Sequence, residues 1–159
     1  MKRRIAALLL WLAAGPALAG APPLAEADVI EFMNGFDAAE RTGDVAAISA
    51  ALAPDCRVEM RATAEGHEHV TAMSHDEYLT DLDDYYGSLH DVAGYEYRSE
   101  PARATIAPGG ETARATRRVT ESFSLDGERH TFHVDETATL ERRDGRLVIT
   151  ALATRSRPD

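Results

Sequence analysis

Apolar residues recur along this chain with two different periods, and the change of period divides it. From Leu24 to Arg41 they fall at Val29, Ile30, Met33 and Phe36, a spacing that predicts a helix with one buried stripe. Thr42-Gly43 ends that helix. Asp44 is placed to cap a second, short one whose Val45, Ile48 and Leu52 face inward, until Pro54-Asp55 stops it. Arg57-Val58-Glu59-Met60-Arg61 then alternates strictly, as a strand does, with Val58 and Met60 inside. Residues 62–73 read as a polar loop. Ser74 and Glu77 have the spacing of a capping box, and Tyr78, Leu79, Leu82, Tyr85, Tyr86 and Leu89 make one face of a third helix.

After the third helix the period drops to two. Tyr95 and Tyr97 open a strand that Pro101 interrupts, residues 102–106 continue it, and Pro108-Gly109-Gly110 turns the chain. Three long alternating runs follow, at 112–125, 128–143 and 146–157. They are joined by Asp126-Gly127 and Asp144-Gly145, the strongest short hairpin signal in a sequence. Three helices followed by a curved antiparallel sheet is an α+β layout.

The first 19 residues stand apart. Met1-Lys2-Arg3-Arg4 is a basic start, Ile5 to Ala14 is an apolar run, and Ala17-Leu18-Ala19 suits cleavage before Gly20. The run is short for a membrane span and is broken by Gly15-Pro16. The expectation is a cleavable signal peptide at 1–19, with cleavage between Ala19 and Gly20. A single domain at 20–159 would then be periplasmic or secreted, without a membrane attachment. Cys56 is the sole cysteine, so no intrachain disulfide is possible and the fold must stand on its core.

Charge narrows the partners. The whole chain has 17 basic and 27 acidic residues, a net charge of −10. Removing Lys2, Arg3 and Arg4 leaves 14 basic residues, all arginine, and a net charge of −13. Such a domain has no basic field to attract phosphate, which argues against nucleic acid and anionic lipid as partners. An apolar content of 44% argues against disorder.

The stretch from Phe36-Asp37-Ala38-Ala39-Glu40 through Gly43-Asp44 to Ile48, and then Leu52-Ala53-Pro54-Asp55-Cys56-Arg57-Val58-Glu59-Met60, resembles the nuclear transport factor 2-like superfamily. That group includes ketosteroid isomerase and the polyketide-cyclase-like proteins. The end of the chain, Leu140 to Ile149 across Asp144-Gly145, looks like the superfamily's closing hairpin. The resemblance implies a cone-like curved antiparallel sheet wrapped around the three helices of the N-terminal half, enclosing a pocket. It also favours a homodimer through the outer sheet face. It implies no single function, because the fold hosts enzymes, binders and assembly modules.

Two-residue turns set the hairpin register. One face then holds Val119, Phe123, Phe132, Val134, Ala138, Leu140, Leu147, Ile149, Ala151 and Ala153, and it points toward the helices. Arg117, Glu121 and Glu136 share that face, with Arg117 directly opposite Glu136. Inward charges are costly unless paired or lining a wet cavity. The pair is either an internal salt bridge or a grip on a polar ligand. Glu121 and Glu136 lie four positions out of step, roughly 13 Å along the sheet, too far for a glycosidase carboxylate pair.

Counted from Gly43-Asp44, the resemblance puts the isomerase's tyrosine at Phe36 and its proton-moving aspartate at Met60. Neither carries a proton, so that chemistry does not transfer. His67, His69 and His75 could hold zinc or copper, but their spacing fits no strong ligand motif. The expectation is therefore no metal and no cofactor. Tyr78, Tyr85, Tyr86 and Tyr97, with Phe36 and Met60, would make an apolar pocket with polar tips. Two functions stay open. The domain either binds a small, partly apolar molecule in the cone or serves as an assembly module with the cone filled. Alternatively it is a lyase, isomerase or hydrolase with an Arg117–Glu136 polar centre. The sequence leaves undecided whether it is an enzyme.

Overall fold

The computed structural model describes residues 22–64, 66–89 and 92–159. The signal-peptide reading of 1–19 and the cleavage point lie outside the described residues. Helix α1 spans Glu26–Thr42 and buries Val29, Met33, Phe36 and Ala39. It ends at Gly43, whose left-handed backbone lets its N–H reach the carbonyls of Ala39 and Glu40. Helix α2, Val45–Ala51, is capped by the Asp44 side chain, which accepts from the Ala47 N–H. Helix α3, His75–Ser88, starts with the expected capping box: Ser74 accepts from the Glu77 N–H, and Glu77 accepts from the Ser74 N–H.

Strands β1 (Leu52–Ala64) and β2 (His67–Ser74) lie between α2 and α3. Strands β3 (Ala93–Ser99), β4 (Arg103–Ile106), β5 (Thr112–Leu125), β6 (Glu128–Arg143) and β7 (Arg146–Pro158) follow. The sheet order is β2-β1-β7-β6-β5-β3, and β4 also pairs with β5. Both Asp-Gly turns place Asp and Gly at positive φ, Asp126 at 51° with Gly127 at 83° and Asp144 at 50° with Gly145 at 77°. This is the turn that suits the right-handed twist of a hairpin.

Three sequence expectations need correction. The sheet is mixed rather than wholly antiparallel, because β1 runs parallel to β7. Local turn signals specify β5-β6-β7, whereas the β1–β7 pairing is made across most of the chain. Residues 62–73 are not a loop but the end of β1 and most of β2, paired from Arg57↔Ser74 to Ala64↔His67. β2 is an edge strand with nearly every side chain exposed, so no burial pattern marks it. The β6–β7 register also changes. It runs as a two-residue hairpin from Arg143↔Arg146 to Leu140↔Ile149, then Thr150 is bulged out and the pairing resumes at Thr139↔Ala151. A one-residue shift exchanges the faces, so Leu152, not Ala151 or Ala153, enters the core, and Thr154 and Ser156 point inward.

The core joins Val29, Met33 and Phe36 of α1, Ile48 of α2 and Tyr78 and Leu82 of α3 to Leu140, Ile149 and Leu152 of the sheet. Ala113, Ala115 and Ala138 are buried beneath the helices, and their small side chains let α1 approach closely. Each fully buried Leu, Ile or Met contributes on the order of 1.5–3 kcal/mol. Cys56 is buried on β1, and burial pushes its thiol up to about 11, so it stays protonated and inert. Among the described residues no helix is long and apolar enough to cross a membrane.

Candidate functional site

Arg117 of β5 is the hinge of the polar interior. The β5–β6 register places it opposite Glu136, as the two-residue turn requires. Its Nε donates to Glu136 Oε1 at 2.8 Å and a terminal nitrogen donates to Glu136 Oε2 at 3.1 Å. The other terminal nitrogen donates to Asp37 Oδ1 at 2.8 Å, and a short bond joins the guanidinium to Glu40 Oε2. Its charge also lies over the Phe36 ring, 5.4 Å from the centroid. With 1% of its side chain exposed, Arg117 has no face left for a bound molecule. Burial works against its charge, but Glu136 and Glu40 outweigh that and hold its pKa raised.

Asp37 and Glu40 were not singled out as site residues from the sequence. A signal was present: positions 33, 36, 37 and 40 fall on one helical stripe, so both acids extend the buried face begun by Met33 and Phe36. The Tyr97 hydroxyl donates to Asp37 Oδ1 at 2.9 Å and to Glu40 Oε2 at 3.3 Å, tying β3 to α1. Three carboxyls thus share one guanidinium. Burial, and then the neighbouring Glu136, push Glu40 from an ordinary 4.5 up to about 8, against the pull of Arg117. Burial thus favours the protonated form of Glu40.

A second polar knot lies four positions along β5. Tyr85 of α3 and Tyr95 of β3 both donate to Glu121 Oε1, at 2.9 and 2.7 Å. Burial and the Glu121 charge raise both phenols, so they remain donors. Tyr86 donates to the Glu40 backbone carbonyl at 2.9 Å and meets Tyr85 edge to face at 5.3 Å. Tyr78 is 5% exposed, and among the described residues its hydroxyl has no hydrogen-bond partner.

Between these knots lies a cavity of about 410 Å³, bounded by α3 and by the inward residues of β5, β6 and β7. Of the sequence candidates, Met60, Tyr78, Tyr85, Tyr86, Tyr97, Glu121 and Glu136 line it. Glu40, Val119, Phe123, Phe132 and Val134 join them. Two candidates do not reach it. Phe36 is 2% exposed and serves as the floor under Arg117, and Arg117 is sealed behind its carboxylates. The bulge at Thr150 brings Thr154 and Ser156 to the wall.

The histidines are dispersed. His67 and His69 are exposed on β2, while His75 starts α3, with Nδ1 2.7 Å from Asp76 and Nε2 3.5 Å from Ser49. Among the described residues no three histidine, cysteine or acidic side chains form a group able to hold a metal ion.

No family model and no curated protein sequence matches the chain. Solved structures do. A nuclear transport factor 2-like protein with a cystatin-like fold from Novosphingobium aromaticivorans superposes with a TM-score of 0.61 at 15% identity, covering 81% of this chain and 79% of that one. A candidate scytalone dehydratase from the same organism gives 0.58 at 13%, covering 80% of each chain. A nuclear transport factor 2-like protein of unknown function in nutrient uptake from Rhodospirillum rubrum gives 0.57 at 20%, covering 80% of this chain and 97% of that one. Identities this low carry the arrangement of helices and sheet and leave the chemistry of each cavity to its own residues. On that arrangement, the chain adopts the nuclear transport factor 2-like fold.

Proposed function

We propose that this domain is exported and binds a small, partly apolar molecule in the cavity beneath α3. The observation that carries this reading is the cavity itself. Side chains line a space of about 410 Å³ that reaches Glu136, whereas an assembly module with a filled cone would close it. Met60, Leu82, Val119, Phe123 and Phe132 supply apolar wall, and Glu40, Glu121 and Glu136 supply a few polar contacts. Export rests on the pattern of residues 1–19.

A second reading, a lyase, isomerase or hydrolase, is favoured by one observation. Glu40 lines the cavity with a pKa pushed up to about 8, so it can give or take a proton near neutral pH. The reacting centre would then be Glu40 and Glu136 rather than Arg117, which touches nothing in the cavity. That one fold neighbour is a candidate scytalone dehydratase is consistent with this reading and adds no residue to it.

Native mass spectrometry of the protein purified from its own source tests the binding reading. A retained small molecule, lost on denaturation, is the expected result. A bare protein mass, together with no thermal shift across a library of partly apolar compounds, would leave the assembly role.

A further inference from the structure

The cavity wall has a charge asymmetry that binding an apolar molecule does not require. Glu40, Asp81, Glu121 and Glu136 line it, and among the described residues no arginine, lysine or histidine does. Arg117 gives all three of its nitrogens to Glu136, Asp37 and Glu40 and is sealed from the cavity. Two of the four wall acids, Glu40 and Glu136, are therefore already held by Arg117, and Asp81 and Glu121 are the two that are not.

Two polar atoms that face the cavity have no hydrogen-bond partner among the described residues. Glu121 Oε1 receives both the Tyr85 and Tyr95 hydroxyls, while its Oε2 accepts no hydrogen bond among the described residues. Independently of the acids, Tyr78 is 5% exposed, lines the cavity, and has a hydroxyl without a hydrogen-bond partner among the described residues. The hydroxyl opens onto the cavity, where a ligand's polar atom or its bound water would satisfy it. Tyr85, Tyr86 and Tyr97 add aromatic rings to the same wall. Aromatic faces beside carboxylates form the usual receptor for an organic ammonium ion.

Other ligand classes fit less well. An anion would meet Asp81 and the Glu121 carboxylate, neither of which is held by an arginine among the described residues. A neutral molecule could donate a hydrogen bond to Glu121 Oε2 but would leave its charge unbalanced. A metal ion needs donors that converge on a point, and no such group exists among the described residues. We propose that the cavity takes an organic cation, a protonated amine or quaternary ammonium carried on a small apolar body. This rests on the binding reading above.

Calorimetry on the wild-type mature domain at pH 7 and low salt compares three probes of matched shape: phenethylammonium, 2-phenylethanol and 3-phenylpropionate. The ammonium is expected to bind at least about tenfold tighter than the alcohol, with no measurable heat from the carboxylate. Glu121→Gln keeps the shape and the acceptor for both tyrosines. It should weaken the ammonium about tenfold and leave the alcohol nearly unchanged. If that variant does not fold, the wild-type ranking decides alone. An alcohol that binds as well as the ammonium overturns the cation proposal and leaves cavity binding intact. If no probe binds, the charge of the molecule retained in native mass spectrometry decides: a neutral or anionic one overturns the cation proposal alone. A protein that binds none of the probes and retains nothing overturns both readings.

Discussion

Arg117 and Glu136 face each other across β5 and β6 in a two-bonded ion pair, at 2.8 and 3.1 Å, with 1% and 4% of their side chains exposed. Asp37 and Glu40 on α1 share the same guanidinium, so the pair is one edge of a four-residue cluster that clamps the first helix to the sheet.

The cluster predicts unequal single mutants. Glu136→Gln should cost only about 1–2 kcal/mol, because Asp37 and Glu40 still hold the guanidinium, whereas Arg117→Met should cost about 5 kcal/mol, because it leaves three carboxyls without their cation. The double variant with apolar residues should recover only part of the loss, since Asp37 and Glu40 still lack their partner. Urea unfolding in a double-mutant cycle reads these values. Equal and small single effects would mean that the cluster contributes little to the fold.

Glu40 predicts a pH dependence of opposite sign to most carboxyls. It faces Arg117, Glu136, Asp37, Tyr97, Tyr78 and Tyr86, and its pKa in the folded protein is raised from 4.5 to about 8. The folded state therefore holds this proton more tightly than the unfolded chain. Its contribution is full below about 4.5 and is lost as pH rises toward 8, at up to about 1.4 kcal/mol per pH unit. Glu40→Gln mimics the protonated acid. The stability difference between wild type and variant should fall through this window and level off above it. A flat difference curve would refute the raised pKa.

Tyr78 separates structure from binding. Its hydroxyl has no partner among the described residues, so Tyr78→Phe should leave stability within about 0.5 kcal/mol or raise it slightly. Ligand affinity should fall about tenfold, because the hydroxyl is available only to a bound molecule. Thermal denaturation and titration of the retained ligand measure the two effects. A clear loss of stability would show that the hydroxyl already has a partner within the protein.

We expect a homodimer through the outer face of the sheet. That face carries Arg118 and Arg157 together on Asp135, and a two-fold contact would use the same patch on both copies. Thr120 and Thr137 lie on the same face, and Thr137 borders a groove of about 510 Å³. Thr120→Arg or Thr137→Arg should give monomers in sedimentation velocity. A wild-type monomer at micromolar concentration would end this expectation.

Export is tested with residues 1–19 fused to a reporter that is active only outside the cytoplasm. Activity, and an N-terminus near Gly20 in the recovered protein, are the expected results. Full-length chain that stays in the membrane fraction through carbonate washing would point instead to an anchor.

Much of the fold was legible because its signals are local. The Met33–Phe36 stripe, the Asp44 cap, the Ser74–Glu77 box and the two Asp-Gly turns each act over a few residues, and each appears where expected. The turn register alone brought Arg117 to Glu136. What tertiary structure decided is what no short span encodes. The parallel β1–β7 pairing joins distant segments, and β2 is an edge strand with no buried face to give it a period. The bulge at Thr150 exchanged Ala151 and Ala153 for Leu152 and Thr154 inside the cone, since a single unpaired residue reverses every side chain beyond it. Asp37 and Glu40 follow the helical stripe. Only the approach of α1 to β5 turned them from surface acids into partners of Arg117, and the burial that came with it, followed by the neighbouring Glu136, is what raises the pKa of Glu40.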